Sequence, residues 1–67
     1  MTSDLDIYRS ANELIKQFSD AADIEAAMRA DELMETGDMD GRAVWLRIVK
    51  AVEKLLAKER PEGEKVH

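Results

Sequence analysis

The chain has 67 residues, of which 15 are acidic and 10 are basic, so its formal net charge is −5. This length allows one domain at most and is too short for a conventional enzyme with separate substrate and cofactor sites. The absence of cysteine excludes a disulfide framework, a thiol nucleophile and a cysteine-based zinc site, and the acidic balance argues against nucleic acid as the default partner.

A first helix is predicted over about residues 4–18. Its apolar side chains follow one stripe with helical spacing, formed by Leu5, Ile7, Tyr8, Ala11, Leu14, Ile15 and Phe18. Ser3, followed three residues later by Asp6, fits a variant capping box at the start of this helix. The alternation that is typical of strands is absent, so the expected fold class is all-α.

A second helix is predicted over about residues 21–36. Asp20 is the expected N-cap, and Gly37 is the expected left-handed residue after the helix end. The helix is rich in alanine, which lets neighbouring helices approach closely. We expect the larger apolar side chains to fill the remaining space, namely Ile24, Met28, Leu33 and Met34.

A third helix is predicted over about residues 39–59, with Asp38 as its cap and Trp45 in its apolar stripe. The short connection at Gly37 and Asp38 predicts a tight antiparallel hairpin between helices two and three. Pro61 is expected to end the helix. The predicted architecture is a small three-helix bundle, with one domain at 1–60 and a disordered C-terminal tail at 61–67.

Charge is unevenly distributed along the chain. Residues 1–40 hold eleven acids and three bases, a charge of −8, whereas residues 41–67 hold four acids and seven bases, a charge of +3. Opposite charges of this kind attract within one molecule or between two. The basic residues of the third helix also leave open a nucleic-acid-associated regulator, which would use Arg42, Arg47, Lys50, Lys54 and Lys58.

Six residues form a candidate cluster for interaction or for structural polar contacts: Tyr8, Arg9, Asp31, Trp45, Leu46 and Arg47. By helical projection Asp31 falls inside the apolar arc of the second helix, where a carboxylate needs a charged or hydrogen-bonding partner. We expect that partner to be an arginine or an aromatic donor of the cluster. Trp, Tyr and Arg are enriched at binding hot spots, so a structural role and a recognition role both remain open.

No catalytic, metal or cofactor site is expected. The segment from Asp38 to Gly41 is similar to part of a calcium-binding loop, but Thr36 and Arg47 would then occupy the first and last ligand positions, and neither suits calcium. His67 is the only histidine, and the sequence has no glycine-rich phosphate loop or nucleophile elbow. We therefore do not expect an enzyme.

Several segments together resemble a group of short, mostly alphaproteobacterial proteins that carry a domain of unknown function. The segments are Ile7–Ala11, Leu14–Ile15, Ala26–Glu32, Gly37–Gly41 and Trp45–Ile48. The resemblance implies a small intracellular bacterial helical protein and brings no activity or partner.

The expected function is protein–protein contact by an adaptor or interaction module, and both a monomer and a homodimer remain open. The longest apolar runs have about four residues, far fewer than a membrane span needs, so no membrane partner is expected. The acidic start lacks the basic residues of a secretory signal, so the expected location is the cytoplasm.

Overall fold

The structure is a computed structural model that describes residues 3–59. This part of the chain is helical and contains no strand, which confirms the predicted all-α class. Its elements are α1 (Asp4–Phe18), one turn of 3₁₀ helix (Ser19–Ala21), α2 (Ala22–Glu35) and α3 (Met39–Glu59). The predicted helix bounds agree with these to within one residue. The predicted helix stop at Pro61 and the predicted tail at 61–67 lie outside the described residues.

The start of α1 is fixed by a side-chain cap. Ser3 has an extended backbone, and its Oγ accepts a hydrogen bond of 3.2 Å from the backbone N–H of Asp6. Asp4 and Asp6 both lie in the first turn, where carboxylates interact favourably with the helix dipole. The predicted cap at Ser3 is confirmed.

No loop separates α1 from α2. Ser19 ends α1 with φ of 52° and ψ of −126°, while its N–H still donates to the carbonyl oxygen of Ile15. A non-glycine residue rarely adopts a positive φ, and here it bends one helical run that continues through the 3₁₀ turn into α2. The prediction that Asp20 caps α2 is wrong, because Asp20 lies inside the 3₁₀ turn and α2 begins after Ala21, which has no side-chain acceptor.

The corner between α2 and α3 follows from local chemistry. Gly37 has φ of 84°, its N–H donates to Met34 O at 3.1 Å, and the N–H of Asp38 donates to Leu33 O at 2.9 Å. These are the two hydrogen bonds of a Schellman motif, which satisfies the last carbonyl groups of a helix. Asp38 then caps α3, because its Oδ1 accepts a hydrogen bond of 2.9 Å from the N–H of Gly41. The predicted roles of Gly37 and Asp38 are confirmed.

α3 packs against both α2 and α1. The three residues of the corner turn the chain back, so α2 and α3 run antiparallel. Asp4 in the first turn of α1 pairs with Arg47 of α3, and the end of α1 leads through the 3₁₀ turn into α2. The start of α1 therefore lies level with the middle of α3.

The core is built mostly from small side chains. Its buried members are Ile7, Ala11, Ala22, Ala26, Ile48, Ala51, Val52 and Leu56, and Val52 is the largest side chain that is fully buried among the described residues. Leu14, Ile15, Phe18, Val44, Trp45, Val49 and Leu55 pack around this centre and remain half-buried. Alanines on all three helices allow the backbones to lie close together.

The larger apolar side chains of α2 do not fill the core, contrary to our prediction. Ile24, Met28 and Met34 are exposed, and Leu33 is half-buried. The buried residues of α2 are Ala22, Ala26 and Ala30, which recur every four residues on one narrow stripe. A second helix that faces its neighbours through one alanine stripe leaves the opposite side in solvent.

Candidate interaction surface

A cleft between α1 and α3 brings together two of the six predicted site residues, Tyr8 and Arg47. It is open to solvent, has a volume of about 350 Å³, and is lined by Asp4, Ile7, Tyr8, Arg47, Lys50, Ala51 and Lys54. We call this feature the α1–α3 cleft. Its volume lies near the lower limit of small-ligand sites, and its openness is better suited to a segment laid along the surface than to an enclosed ligand.

The two rims of the cleft differ in charge. Arg47, Lys50 and Lys54 come from α3, where spacings of three and four residues place them on one side of the helix. The single acidic residue in the lining is Asp4 on α1. Lys50 and Lys54 are exposed, and within residues 3–59 neither forms an ion pair. The cleft is therefore locally cationic on a protein that is acidic overall.

An ion pair closes one end of the cleft. Arg47 Nη2 donates to Asp4 Oδ1 at 2.6 Å. The two side chains are 48% and 86% exposed, so the pair contributes less than about 1 kcal/mol to stability. Its main effect is geometric, since it holds the Arg47 guanidinium beside the first turn of α1. Sequence reasoning missed Asp4 as a site residue, because the two partners are 43 residues apart in sequence.

The floor of the cleft is apolar. Ile7 and Ala51 are buried beneath it, and Tyr8 remains partly accessible at its edge. Ile7 and Ala51 are held in place because they belong to the core that joins α1 to α3. Tyr8 follows Ile7 directly on α1. A partly exposed tyrosine beside cationic side chains offers a ring face together with a hydroxyl group, a combination that is common at binding hot spots.

Trp45 lies apart from the cleft. Its half-buried ring packs on the core and stacks against Arg29 of α2, whose guanidinium carbon is 5.8 Å from the ring centroid. This distance permits a cation–π contact. Arg29 comes from α2 and Trp45 from α3, so only the mutual orientation of these two helices reveals the contact. Arg29 and Trp45 therefore join two helices and lie outside the cleft.

Asp31 is exposed, so the expectation of a buried, paired carboxylate is wrong. None of the described polar or charged side chains is buried, and no hydrogen bond or ion pair joins Asp31 to another residue in the described range. The reason is the narrow buried face of α2, which places Asp31 on the solvent side. Arg9 and Leu46 are also exposed, and neither lines the cleft.

The outer face of α2 carries a second surface feature. Ile24 and Met28 are 62% and 50% exposed, and they share one side of the helix with the exposed residues Asp31 and Glu35. We call these four residues the α2 stripe. It points away from the buried alanines, so no other part of the described chain covers it.

The basic residues of α3 are divided between two sides of the helix. Arg47, Lys50 and Lys54 line the cleft, whereas Arg42 is half-buried and absent from the lining. The Arg42 Nε atom is buried and has no hydrogen-bond partner within the described part of the chain. The predicted basic face of the third helix is therefore narrower than the sequence suggested.

The described residues form neither a metal-binding cluster nor a membrane-spanning helix. Across residues 3–59, no three or more His, Cys, Asp or Glu side chains are grouped so that they could hold a metal ion. The Asp38 carboxylate instead accepts the Gly41 N–H as a helix cap. Nor does any helix in this range have both the length and the apolar character that crossing a bilayer requires.

Comparison with known proteins gives no relative for this chain: no family model, curated protein or solved structure matches it. The resemblance to short alphaproteobacterial proteins stays a prediction.

Proposed function

We propose that the chain is a small three-helix bundle that acts by protein–protein contact, and that its α1–α3 cleft binds an acidic, partly apolar segment of a partner protein. The observation that carries the proposal is the lining of the cleft. Lys50 and Lys54 lie beside Tyr8 above an apolar floor, without an ion-pair partner among the described residues. We place this module in the cytoplasm of a bacterium, as the resemblance implies.

The chemistry of the cleft favours an acidic protein segment. Carboxylates of a partner would meet the ammonium groups of Lys50 and Lys54, and an apolar side chain would lie against Tyr8 and Ile7. Exposed charge pairs contribute little affinity each but raise the rate of encounter and select partners by charge. A weak, selective contact is the expected result.

Binding is favoured over catalysis because every charged group of the cleft is accessible to water. Asp4, Lys50 and Lys54 are exposed, and the cleft has no wall that would exclude solvent. Catalytic acids, bases and nucleophiles usually depend on partial burial to acquire the reactivity that they need. We therefore propose a non-enzymatic role without a cofactor.

A nucleic-acid-associated regulator is the second candidate, because three cations share one rim of the cleft. Two observations weigh against it. Arg42 does not extend this rim, and residues 1–40 carry a charge of −8 that repels phosphate at low salt. Three cations make a small phosphate footprint compared with those of typical DNA-binding domains.

The two candidates are separated by titrating the isotopically labelled chain, at low protein concentration, with two probes. One is a synthetic amphipathic peptide of Glu and Leu, and the other is a mixed-sequence DNA duplex. We expect the peptide to shift the amide resonances of Tyr8, Lys50 and Lys54, and the double variant Lys50→Gln, Lys54→Gln to bind it about tenfold more weakly.

The matched control is the double variant Arg9→Gln, Lys16→Gln, which removes the same charge from exposed positions of α1 outside the cleft. It should bind the peptide about as well as the unmodified chain. Tighter binding of the duplex, with an affinity that falls steeply as salt is added, would favour the nucleic-acid role instead. A peptide that shifts no resonance in the cleft would contradict the proposal.

A further inference from the structure

We propose that the cleft of one molecule binds the α2 stripe of a second copy of the same chain, so that copies associate head to tail. This inference rests on the proposed function, since it uses the same cleft and names an occupant for it. The occupant is suggested by charge and spacing. The stripe pairs two exposed apolar side chains with two carboxylates, and the cleft pairs an apolar floor with cations.

The charged groups of the two surfaces have matching spacing. Asp31 and Glu35 are four residues apart on α2, and Lys50 and Lys54 are four residues apart on α3. Residues four apart on a helix are about 5–6 Å apart at Cβ, so two carboxylates of one copy can each face one ammonium group of the next. Met28, one turn before Asp31, would then lie near Tyr8 and the cleft floor.

Each of these pairs is unfavourable in the single molecule. Two like charges four residues apart on a helix repel each other and destabilise it slightly. Both pairs are exposed, and within residues 3–59 none of the four side chains has an ion-pair partner. Association would replace two like-charge contacts with opposite-charge contacts, which is an electrostatic gain for both helices.

The two surfaces cannot meet within one molecule. The α2 stripe faces away from the core, because the opposite side of α2 carries the buried residues Ala22, Ala26 and Ala30. The cleft lies between α1 and α3. The contact must therefore form between copies, and it joins two different surfaces. Such a head-to-tail contact leaves one stripe and one cleft open at the ends of a linear assembly.

The association should be weak and sensitive to salt. Exposed ion pairs are screened, and the apolar contribution is limited to Ile24 and Met28 on one side and to Ile7, Tyr8 and Ala51 on the other. Weak contacts of this kind are observed only at high concentration. An open chain of copies keeps a free cleft and a free stripe at its ends, so its average mass should rise gradually with concentration, whereas a closed ring would stop at a fixed mass.

The test uses analytical ultracentrifugation of the full chain from low micromolar to millimolar concentration. The cleft variant is Lys50→Gln, Lys54→Gln, and the stripe variant is Asp31→Asn, Glu35→Gln. All four positions are exposed, so the helical fold should persist, which circular dichroism checks. We expect each variant alone to associate about tenfold more weakly than the unmodified chain.

Mixing the two variants gives the decisive result. The cleft variant keeps an intact stripe and the stripe variant keeps an intact cleft, so an equimolar mixture should form a one-to-one complex that grows no further. The charge-matched controls are Asp6→Asn, Glu13→Gln and Arg9→Gln, Lys16→Gln, all at exposed positions of α1. Both should associate like the unmodified chain.

The inference is overturned if the unmodified chain stays monomeric at all concentrations, if either variant associates normally, or if the mixture does not recover the contact. Each of these outcomes would exclude this head-to-tail self-association without excluding the proposed binding of a partner protein in the cleft. The stripe variant has an intact cleft, and if it still binds the acidic synthetic peptide, the cleft is an interaction site whose occupant is another protein.

Discussion

The carboxylate of Asp38 occupies the space that a side chain at Gly41 would need. A Cβ atom at Gly41 would lie 2.6 Å from Asp38 Oδ2, while Asp38 Oδ1 accepts the Gly41 N–H at 2.9 Å. Glycine at this position is therefore explained by the cap itself. The first turn of α3 keeps a poor helix former so that the preceding aspartate can fold back onto it.

The first prediction concerns this coupling. Replacing glycine by alanine inside a helix normally raises the free energy of unfolding by roughly 1 kcal/mol. Gly41→Ala should not show this gain, because the new methyl group displaces the Asp38 cap. In an Asp38→Ala background, which loses about 1 kcal/mol through the missing cap, the same substitution should stabilise the protein. Urea unfolding of the two single variants and the double variant measures the coupling.

Gly37→Ala is the control for this cycle. No atom lies within 4 Å of the added methyl group, but the φ of 84° is unfavourable for alanine, so we expect a loss of about 1 kcal/mol in either background. If Gly41→Ala stabilises the protein equally with and without the Asp38 carboxylate, the close contact between the two residues has no energetic effect.

The second prediction concerns the bend at Ser19. Its φ of 52° and ψ of −126° suit glycine far better than serine, so Ser19→Gly should stabilise the protein by about 1 kcal/mol. Ser10→Gly is the matched control, because Ser10 is exposed within α1 and glycine there should cost about 0.5 kcal/mol. Thermal unfolding followed by circular dichroism distinguishes the two. A lower melting temperature for Ser19→Gly would contradict the backbone conformation described for the bend.

The third prediction compares two leucines of opposite exposure. Leu56 is 4% exposed in the core, and Leu56→Ala should destabilise the protein by about 3 kcal/mol, a large share of the stability of so small a domain. Leu5 is 62% exposed, and Leu5→Ala should change stability by less than about 0.5 kcal/mol. Chemical unfolding at a fixed temperature measures both. Equal losses of stability for the two variants would contradict the packing of α3 against α1 and α2 described above.

The fourth prediction separates stability from binding at the end of the cleft. Asp4→Asn removes the only acidic group that residues 3–59 contribute to the lining. Stability should fall by less than about 1 kcal/mol, while affinity for the acidic synthetic peptide rises. Asp6→Asn removes the same charge from the same turn of α1, outside the lining. It should raise the affinity much less. Equal gains for the two variants would indicate a general charge effect.

Local sequence signals predicted the helices and the corner well. Ser3, Gly37 and Asp38 act within a few residues of their own positions, so their cap and turn chemistry can be read from the sequence alone. The bend at Ser19 was missed, because a serine with positive φ leaves no signal in residue type. The prediction that Asp20 caps α2 was wrong for the same reason, because Asp20 lies in the 3₁₀ turn that follows the bend and α2 begins only at Ala22.

Predictions about surfaces were less successful, and α2 shows why. Alanine fits a buried face and an exposed face equally well, so the sequence could not show that only the stripe of Ala22, Ala26 and Ala30 faces inward. Ile24 and Met28 were therefore placed inside, and Asp31 with them. Tyr8 and Arg47 line the same cleft, but this cleft depends on how α1 lies against α3, which no local pattern records.

The buried alanines at the centre of the core limit which substitutions the protein can accept. Ala11, Ala22 and Ala26 are completely inaccessible to solvent. A larger side chain at any of the three would force the neighbouring backbones to shift, because packed interiors contain few voids. Larger side chains at these three sites are therefore expected to destabilise the protein. Ile24 and Met28 face outward instead, so a change there alters the surface that they offer to a partner and leaves the core intact.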